Sequence, residues 1–342
     1  MRLVCHIGTP KTASTFLQNS FAANAAWLQR HGVLYPDLLS RDANHITLFY
    51  AAHEGLHDFA RGHGLHSRED VLEFRRTLRK QLERQAAKAP PGTHTMLVSS
   101  ENLTGNLTGR PGIANLRELF GDLFSSIEIV VYLRRQDDAI LSMYGEYMRR
   151  GFNSMTFPQF VKACLGPDSP APYLYYRRLL SLWAEVFGQE ALKVRLYSRS
   201  HLAGGDILED VMQILFGDAL PDLSALARST QDNTGLSAPA LEFLRRMQPH
   251  IPFRKDGAAN PERERLLARI SSLPAAPRPR MAPARSQQIM QHFAPANAWV
   301  AETFFPGAPA PLFAGSSSPG QPGNLGRISL DQFAAFSAHL LG

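Results

Sequence analysis

Residues 6–15 read "HIGTPKTAST", and this stretch sets one lysine, Lys11, among the hydroxyls of Thr9, Thr12, Ser14 and Thr15. It follows the apolar run Leu3-Val4-Cys5 and leads into "FLQNSF", so a strand is expected to turn into a helix here. Such a turn leaves backbone N–H groups free at the positive end of the helix, and Lys11 adds a full charge. Gly8 and the small Ala13 let a ligand approach the backbone. Phosphate is the chemistry this combination suits, although a plain strand-to-helix turn with a Ser/Thr cap would look similar in isolation. The ATP/GTP signature GxxxxGK[ST] is absent, because Lys11 stands only three residues after Gly8.

A second stretch, "YLRRQDDAILSMY", has the same strand-to-helix character. Arg134 falls at the end of the strand, and Ser142 follows eight residues on, about two turns into the helix. The carboxyl edge of a parallel sheet is where α/β proteins bind ligands, and an arginine and a hydroxyl can share one phosphate there. The competing reading pairs Arg134 or Arg135 with Asp137 or Asp138 and leaves Ser142 on a helix surface.

The elements that must position these residues alternate between strand and helix patterns, which implies a mostly parallel sheet flanked by helices. Strands are expected at Leu3–Ile7, after Gly32, at "TMLVSSE" (95–101), at "IEIVVYLRR" (127–135) and at "ALKVRLYSR" (191–199). Helices are expected from Thr12, burying Phe16, Leu17 and Phe21, and over "DDAILSMYGEYMRRG", "PYLYYRRLLSLWAEVFG", "GDILEDVMQILFG" and "SAPALEFLRRM". Residues 218–235 read as turn-rich, 271–286 as a Pro-, Arg- and Ala-rich connector, and 314–327 as a Gly/Ser/Pro linker. Ser329 and Gln332 have capping-box spacing ahead of a short C-terminal helix. One α/β domain over 1–313, then a linker and helix over 314–342, is the expected organisation.

Composition sets outer limits. A chain of 342 residues with 44% apolar content can bury a large core, and a net charge of +6 favours acidic ligands. Nucleic acid is not expected, since no helix carries a dense basic stripe interleaved with aromatics. "EFRRTLRKQLERQAAK" reads as the solvated side of a helix that buries Val71, Phe74, Leu78 and Leu82. Cys5 and Cys164 are the only cysteines and read as reduced thiols, neither a disulfide framework nor a metal site. With no signal peptide or membrane-spanning run, a cytoplasmic location is the default expectation.

Taken together, the two strand-to-helix stretches resemble the sulfotransferases that use 3′-phosphoadenosine 5′-phosphosulfate (PAPS). "TPKTAST" is similar to their 5′-phosphosulfate loop, usually close to "PKSGTT", with Ala13 where glycine is usual. "RRQDDAILS" is similar to their 3′-phosphate motif. The resemblance is closest to bacterial members whose chains begin almost at the loop. It continues faintly through "VRLYSRSHLAGGDILEDVMQILFG", "NTGLSAPALEFLRRM" and "NAWVAETFFPGAPAPLF", so that it spans most of 1–313.

The resemblance implies a P-loop-like three-layer α/β/α fold with a central, mostly parallel sheet and helical insertions. It implies PAPS as the donor and no metal. Thr9, Pro10, Lys11, Thr12, Ala13, Ser14 and Thr15 would form the 5′-phosphosulfate loop, and Arg134 with Ser142 would hold the 3′-phosphate. Lys11 would stabilise the bridging oxygen as charge develops there. A base must take the acceptor's proton; Glu101, at the end of "TMLVSSE", is the first candidate, and His45, in "NHITLFYAAHEG", is the second base or a substrate contact. Glu101 capping a helix or pairing with a lysine is the alternative. Ser99 and Ser100 would contact the nucleotide or simply finish the strand. Tyr144, Tyr147, Arg149 and Arg150 would line an acceptor cleft or pack as a mixed helix face, and Arg177 and Arg178 would touch an acidic glycan or face solvent.

The acceptor would offer a hydroxyl or an amine, on a carbohydrate or glycolipid by analogy. Two other functions compete. A P-loop kinase or phosphotransferase would need a Mg²⁺ site and a β/γ-phosphate cradle, which the short Gly8–Lys11 spacing disfavours. A non-catalytic phosphate- or glycan-binding module would not need Lys11 together with a strand-end carboxylate.

Overall fold

The computed structural model describes residues 1–228, 235–255, 258–271, 277–308, 310–313 and 321–341. In chain order its elements are β1 (Arg2–His6), α1 (Ser14–Ala23), α2 (Ala25–Arg30), β2 (Val33–Leu34), α3 (Ile46–Ala52), α4 (Asp58–Arg61), α5 (Arg68–Ala87), β3 (Thr95–Ser99), α6 (Asn102–Asn106) and α7 (Arg110–Phe120). There follow β4 (Ile127–Leu133), α8 (Gln136–Arg150), α9 (Phe157–Cys164), α10 (Tyr176–Phe187), β5 (Leu192–Leu196), α11 (Ile207–Phe216), α12 (Ala238–Met247), β6 (Arg254–Lys255), β7 (Ala258–Ala259), α13 (Pro261–Ser271), α14 (Pro283–Phe304) and α15 (Leu330–Leu341).

Two compact units divide the chain: Met1–Arg134 with the described residues from Pro172 to Arg228, and Arg135–Ala171 with the described residues from Gly235 onward. The first unit holds a five-stranded, all-parallel sheet in the order β2-β3-β1-β4-β5. β-branched Ile129, Val130 and Val131 are fully buried in β4, as a strand covered on both faces requires. On one face Val4, Leu97, Val130 and Tyr132 pack with Leu17 and Phe21 of α1, Leu28 of α2, and Leu208, Val211 and Met212 of α11. Alternation sends Leu3, Cys5 and Val131 to the other face, all buried. There α10 packs on β4 and β5 and against α7, which in turn meets α3 and α5. This is a three-layer α/β/α arrangement, with the parallel sheet and flanking helices that the alternating pattern implied and the layering that the resemblance implied.

Local sequence explains most boundaries. α5 begins with a capping box in which Ser67 Oγ accepts from the Asp70 amide (3.1 Å) and Asp70 Oδ2 accepts from the Ser67 amide (2.9 Å). α5 buries Val71, Leu78, Gln81 and Leu82, while Phe74 is only half-buried. Asp206 caps α11 by accepting from the Leu208 and Glu209 amides, and Gly217 ends that helix with φ +56°. Cys5 and Cys164 are buried free thiols, as expected, and burial pushes the Cys164 thiol up to about 12.

In the second unit α8 is joined to α14 by a reciprocal amide pair between Gln136 and Asn297 (2.6 and 3.1 Å). Fully buried Arg263 donates to Gln248 Oε1 (2.7 Å) and to the carbonyls of Ile251 (2.8 Å) and Met148 (2.5 Å), closing the carboxyl end of α8. α12, α13 and α15 share a core of Phe243, Leu244, Leu266, Ile270 and Phe336. The Ser329–Gln332 box forms at the start of α15, as its spacing implied. The expected connector over 271–286 is shorter than its composition implied, because α14 starts at Pro283, the first helical position that proline favours; residues 272–276 lie outside the described residues. So do 229–234 of the turn-rich segment and 314–320 of the linker.

Under the sheet of the first unit, Tyr132 donates to Asp210 Oδ2 (2.7 Å), and Asp210 also accepts from Arg195 Nε (3.0 Å) and the Ala203 amide (2.9 Å). Burial opposes the Asp210 charge, but these donors outweigh it and hold the carboxyl below the usual range. A depressed native value gives stability that is complete above the unfolded carboxylate range, near 3.9, and lost as pH falls through the native value. Asp210→Asn is therefore expected to cost about 1–3 kcal/mol at neutral pH and to flatten the acid side of the stability curve. Denaturant melts at several pH values check this; parallel acid limbs for both proteins would refute it.

Candidate functional site

Because β3, β1 and β4 are adjacent and parallel, their carboxyl ends deliver Ser99–Glu101, the Ile7–Ala13 loop and Arg134 to one edge of the sheet. Strand order also changes direction here. The first two crossovers stay on one side of β1, and the next places β4 on the other side, so β1 borders the topological switch point.

The loop is tightly built. Gly8 has φ +54°, and a Cβ there would lie 2.8 Å from Ser14 Oγ and 3.1 Å from Glu101 Cβ, so only glycine fits between them. Thr9 Oγ1 donates to the Tyr132 carbonyl of β4 (2.7 Å), and Thr12 Oγ1 donates to the Thr9 carbonyl (2.7 Å). Both threonines are buried, so their hydroxyl protons brace the loop. Ser14 Oγ is buried without a hydrogen-bond partner among the described residues, while Thr15 at the start of α1 is exposed. Pro10 lies against Gly105 of α6.

Lys11 and Ala13 both adopt left-handed backbone, with φ +74° and +58°. Ala13 stands where the loop that this stretch resembles usually has glycine. Its actual conformation is one that favours glycine, costing an L-residue about 1–2 kcal/mol. Ala13→Gly relieves that strain but loosens the unfolded chain, so a net stabilisation of up to about 1 kcal/mol is expected. A lower melting temperature for the variant would contradict it.

Arg134 is tied to the loop. Its Nη1 donates to the Lys11 carbonyl (2.8 Å), and its guanidinium lies over the Tyr197 ring at 5.7 Å. The Tyr176 hydroxyl accepts from the Arg134 amide (3.1 Å) and donates to the Arg134 carbonyl, fixing the strand end. Arg135, not Arg134, takes Asp137 as partner (2.9 Å). Ser142 is half-buried on α8 and belongs to the second unit, whereas Arg134 closes the first. On the same helix Tyr144 is buried, and Arg149 and Arg150 both pair with Glu146, the mixed-face packing that was the alternative to a cleft. Arg177 and Arg178 are exposed.

Glu101 precedes α6 but makes no side-chain cap. Its Oε2 instead accepts from Gln18 Nε2 of α1 (2.7 Å) and from Asn44 Nδ2 (3.1 Å). His45 has both nitrogens committed: Nδ1 accepts from the Ser99 amide (3.0 Å) and Nε2 donates to the Pro36 carbonyl (2.9 Å). Burial pushes its pKa down to about 4, with the Pro36 bond acting the other way. A neutral imidazole with both nitrogens used has no lone pair left for an incoming proton. His6, at the end of β1, is also pushed down to about 4 by burial and meets Ser99 Oγ through Nδ1 (2.8 Å). Ser100 Oγ is buried without a partner among the described residues.

Sequence reasoning missed Gln18, Asn44, Tyr176 and Tyr197. Gln18 left a trace: it stands on the helix face of Ser14, Leu17 and Phe21, a polar residue in a buried row. Asn44 left none. Among the described residues no cluster of three or more metal-ligating side chains occurs, and no helix is long and apolar enough to cross a membrane.

No family model matches this chain, and no curated protein matches it. Among solved structures the chain is similar to the crystal structure of a sulfotransferase from Alicyclobacillus acidocaldarius, with 12% identity, a TM-score of 0.45, and coverage of 87% of this chain and 94% of that one.

Proposed function

We propose that this protein is a sulfotransferase that moves the sulfuryl group of PAPS onto a hydroxyl or amine of an acceptor. The observation that carries the reading is the meeting, at one sheet edge, of a left-handed lysine loop, a strand-end arginine bonded to that loop, and a carboxylate held beside the loop's glycine. PAPS presents phosphate groups at its 3′ and 5′ positions, and the two strand-to-helix motifs supply a counterpart for each.

The loop fits a 5′-phosphosulfate on two counts. Ala13 gives α1 no side-chain cap, which leaves amide donors to be satisfied, and the buried Ser14 hydroxyl has no partner among the described residues. Thr9 and Thr12 shape the loop, Thr15 stands at its exposed rim, and Lys11 supplies charge. Arg134 supplies the charge for the 3′-phosphate. In the transfer, a new S–O bond (or S–N bond) forms at the acceptor as the bridging S–O bond breaks, releasing 3′,5′-ADP. Lys11 stabilises the oxygen left on the 5′-phosphate, and Glu101 takes the acceptor's proton. His45, with its nitrogens committed, serves structure.

Thermal shift with 3′,5′-ADP, with ADP plus Mg²⁺ and with GDP tests the reading. A shift confined to 3′,5′-ADP supports it. A shift only with ADP and Mg²⁺ would favour a kinase instead, and a glycan-binding module would respond to none of them.

A further inference from the structure

We propose that Gln18 and Asn44 are positioning residues for Glu101: they hold Oε2 so that Oε1 is the oxygen presented to the acceptor's proton. The inference rests on the sulfotransferase reading above and assigns roles that neither motif contains.

Three features support it. First, both amides bind the same carboxylate oxygen, at 2.7 and 3.1 Å, and among the described residues none donates to Oε1. Neutral donors orient a carboxylate without the full charge that a lysine or arginine would set against it. Second, both arms are rigid. Gln18 is buried in α1, the helix that the lysine loop starts, so loop and base share one support. Asn44 is flanked by two anchored residues. The Ala43 carbonyl accepts from the Tyr35 hydroxyl, and His45 is pinned by its amide to the Ser99 carbonyl (2.9 Å) and by its ring to the Ser99 amide and Pro36 carbonyl. His45 thus acts through Asn44. Third, an ionised carboxylate only accepts, so Asn44 must turn its NH₂ toward Glu101. That leaves Asn44 Oδ1 buried without a partner among the described residues, a pose that stability alone would disfavour.

The contact can be tested without an acceptor. Gln18→Glu sets a second carboxylate against Oε2, and like charges repel once both ionise. Its melting temperature should therefore fall increasingly below wild type between about pH 4 and 8. Adding Glu101→Gln in the same chain reverses the amide–carboxylate pair and should remove that pH-dependent loss. The catalytic consequence is read as release of 3′,5′-ADP from saturating PAPS with water as nucleophile. Water's oxygen bonds to sulfur, the bridging S–O bond breaks, Glu101 Oε1 takes the proton, and sulfate leaves.

Gln18→Met and Asn44→Ala should each slow this release roughly tenfold while 3′,5′-ADP binding stays within about twofold of wild type. The reversed pair should regain stability but not turnover. A melting profile for Gln18→Glu parallel to wild type would overturn the proposal, and so would wild-type release by both Gln18→Met and Asn44→Ala when Glu101→Gln is inactive. Absence of 3′,5′-ADP binding to the wild type would instead remove the donor reading beneath it.

Discussion

Glu101→Gln is expected to lower turnover by roughly 10²–10⁴-fold while leaving 3′,5′-ADP affinity near that of wild type. The amide keeps the shape of the carboxylate and can still accept from Gln18 and Asn44 through its oxygen, so the local fold should persist. It cannot take a proton at neutral pH. The loss should fall on the saturated rate, because the loop and Arg134, which hold the nucleotide in this account, are unchanged. Turnover near wild type would show that another group is the base. His45→Ala is the appropriate control: it removes a clamp on the Asn44 segment, so a moderate loss with reduced stability is expected.

Lys11→Met is expected to cut the saturated rate by at least roughly a hundredfold and to weaken 3′,5′-ADP binding only modestly. Charge develops on the bridging oxygen only as the S–O bond stretches, so a cation aimed there acts mainly in the transition state. The left-handed backbone at residue 11 does not depend on the ammonium group, and the carbonyl that accepts from Arg134 remains in the variant. Arg134→Ala should show the opposite balance. It removes a phosphate-binding charge remote from sulfur and a brace on the loop, so affinity should fall more than the saturated rate. A Lys11→Met enzyme with an unchanged saturated rate and a raised Michaelis constant for PAPS would make Lys11 a binding residue only.

The sheet was legible because parallel strands covered on both faces leave apolar runs, as in 95–101 and 127–135, while the edge strand at 191–199 shows instead as Leu192, Val194 and Leu196 alternating with Lys193 and Arg195. Cap chemistry placed the Ser329–Gln332 box for similarly local reasons. The edge shared by the loop, Arg134 and Glu101 followed once the strands were taken as parallel neighbours. Less could be read where tertiary packing decides. Nothing local marks Ala13 as left-handed, since alanine ordinarily avoids that region. His45 looked available because a histidine beside an apolar helix gives no hint that Pro36 and Ser99 will use both nitrogens. Thr12 likewise offers a hydroxyl in sequence that the fold spends on Thr9. Asn44 reaches Glu101 across 57 residues of chain, a separation no motif encodes.

Calorimetric titration of the protein with 3′,5′-ADP, with and without EDTA, tests the central claim most directly. Saturable one-site binding is expected that EDTA leaves unchanged, that ADP competes for weakly, and that Arg134→Ala weakens by about 1.5–3 kcal/mol through loss of a charge-assisted contact. Binding that requires a divalent metal, or a preference for ADP over 3′,5′-ADP, would contradict it.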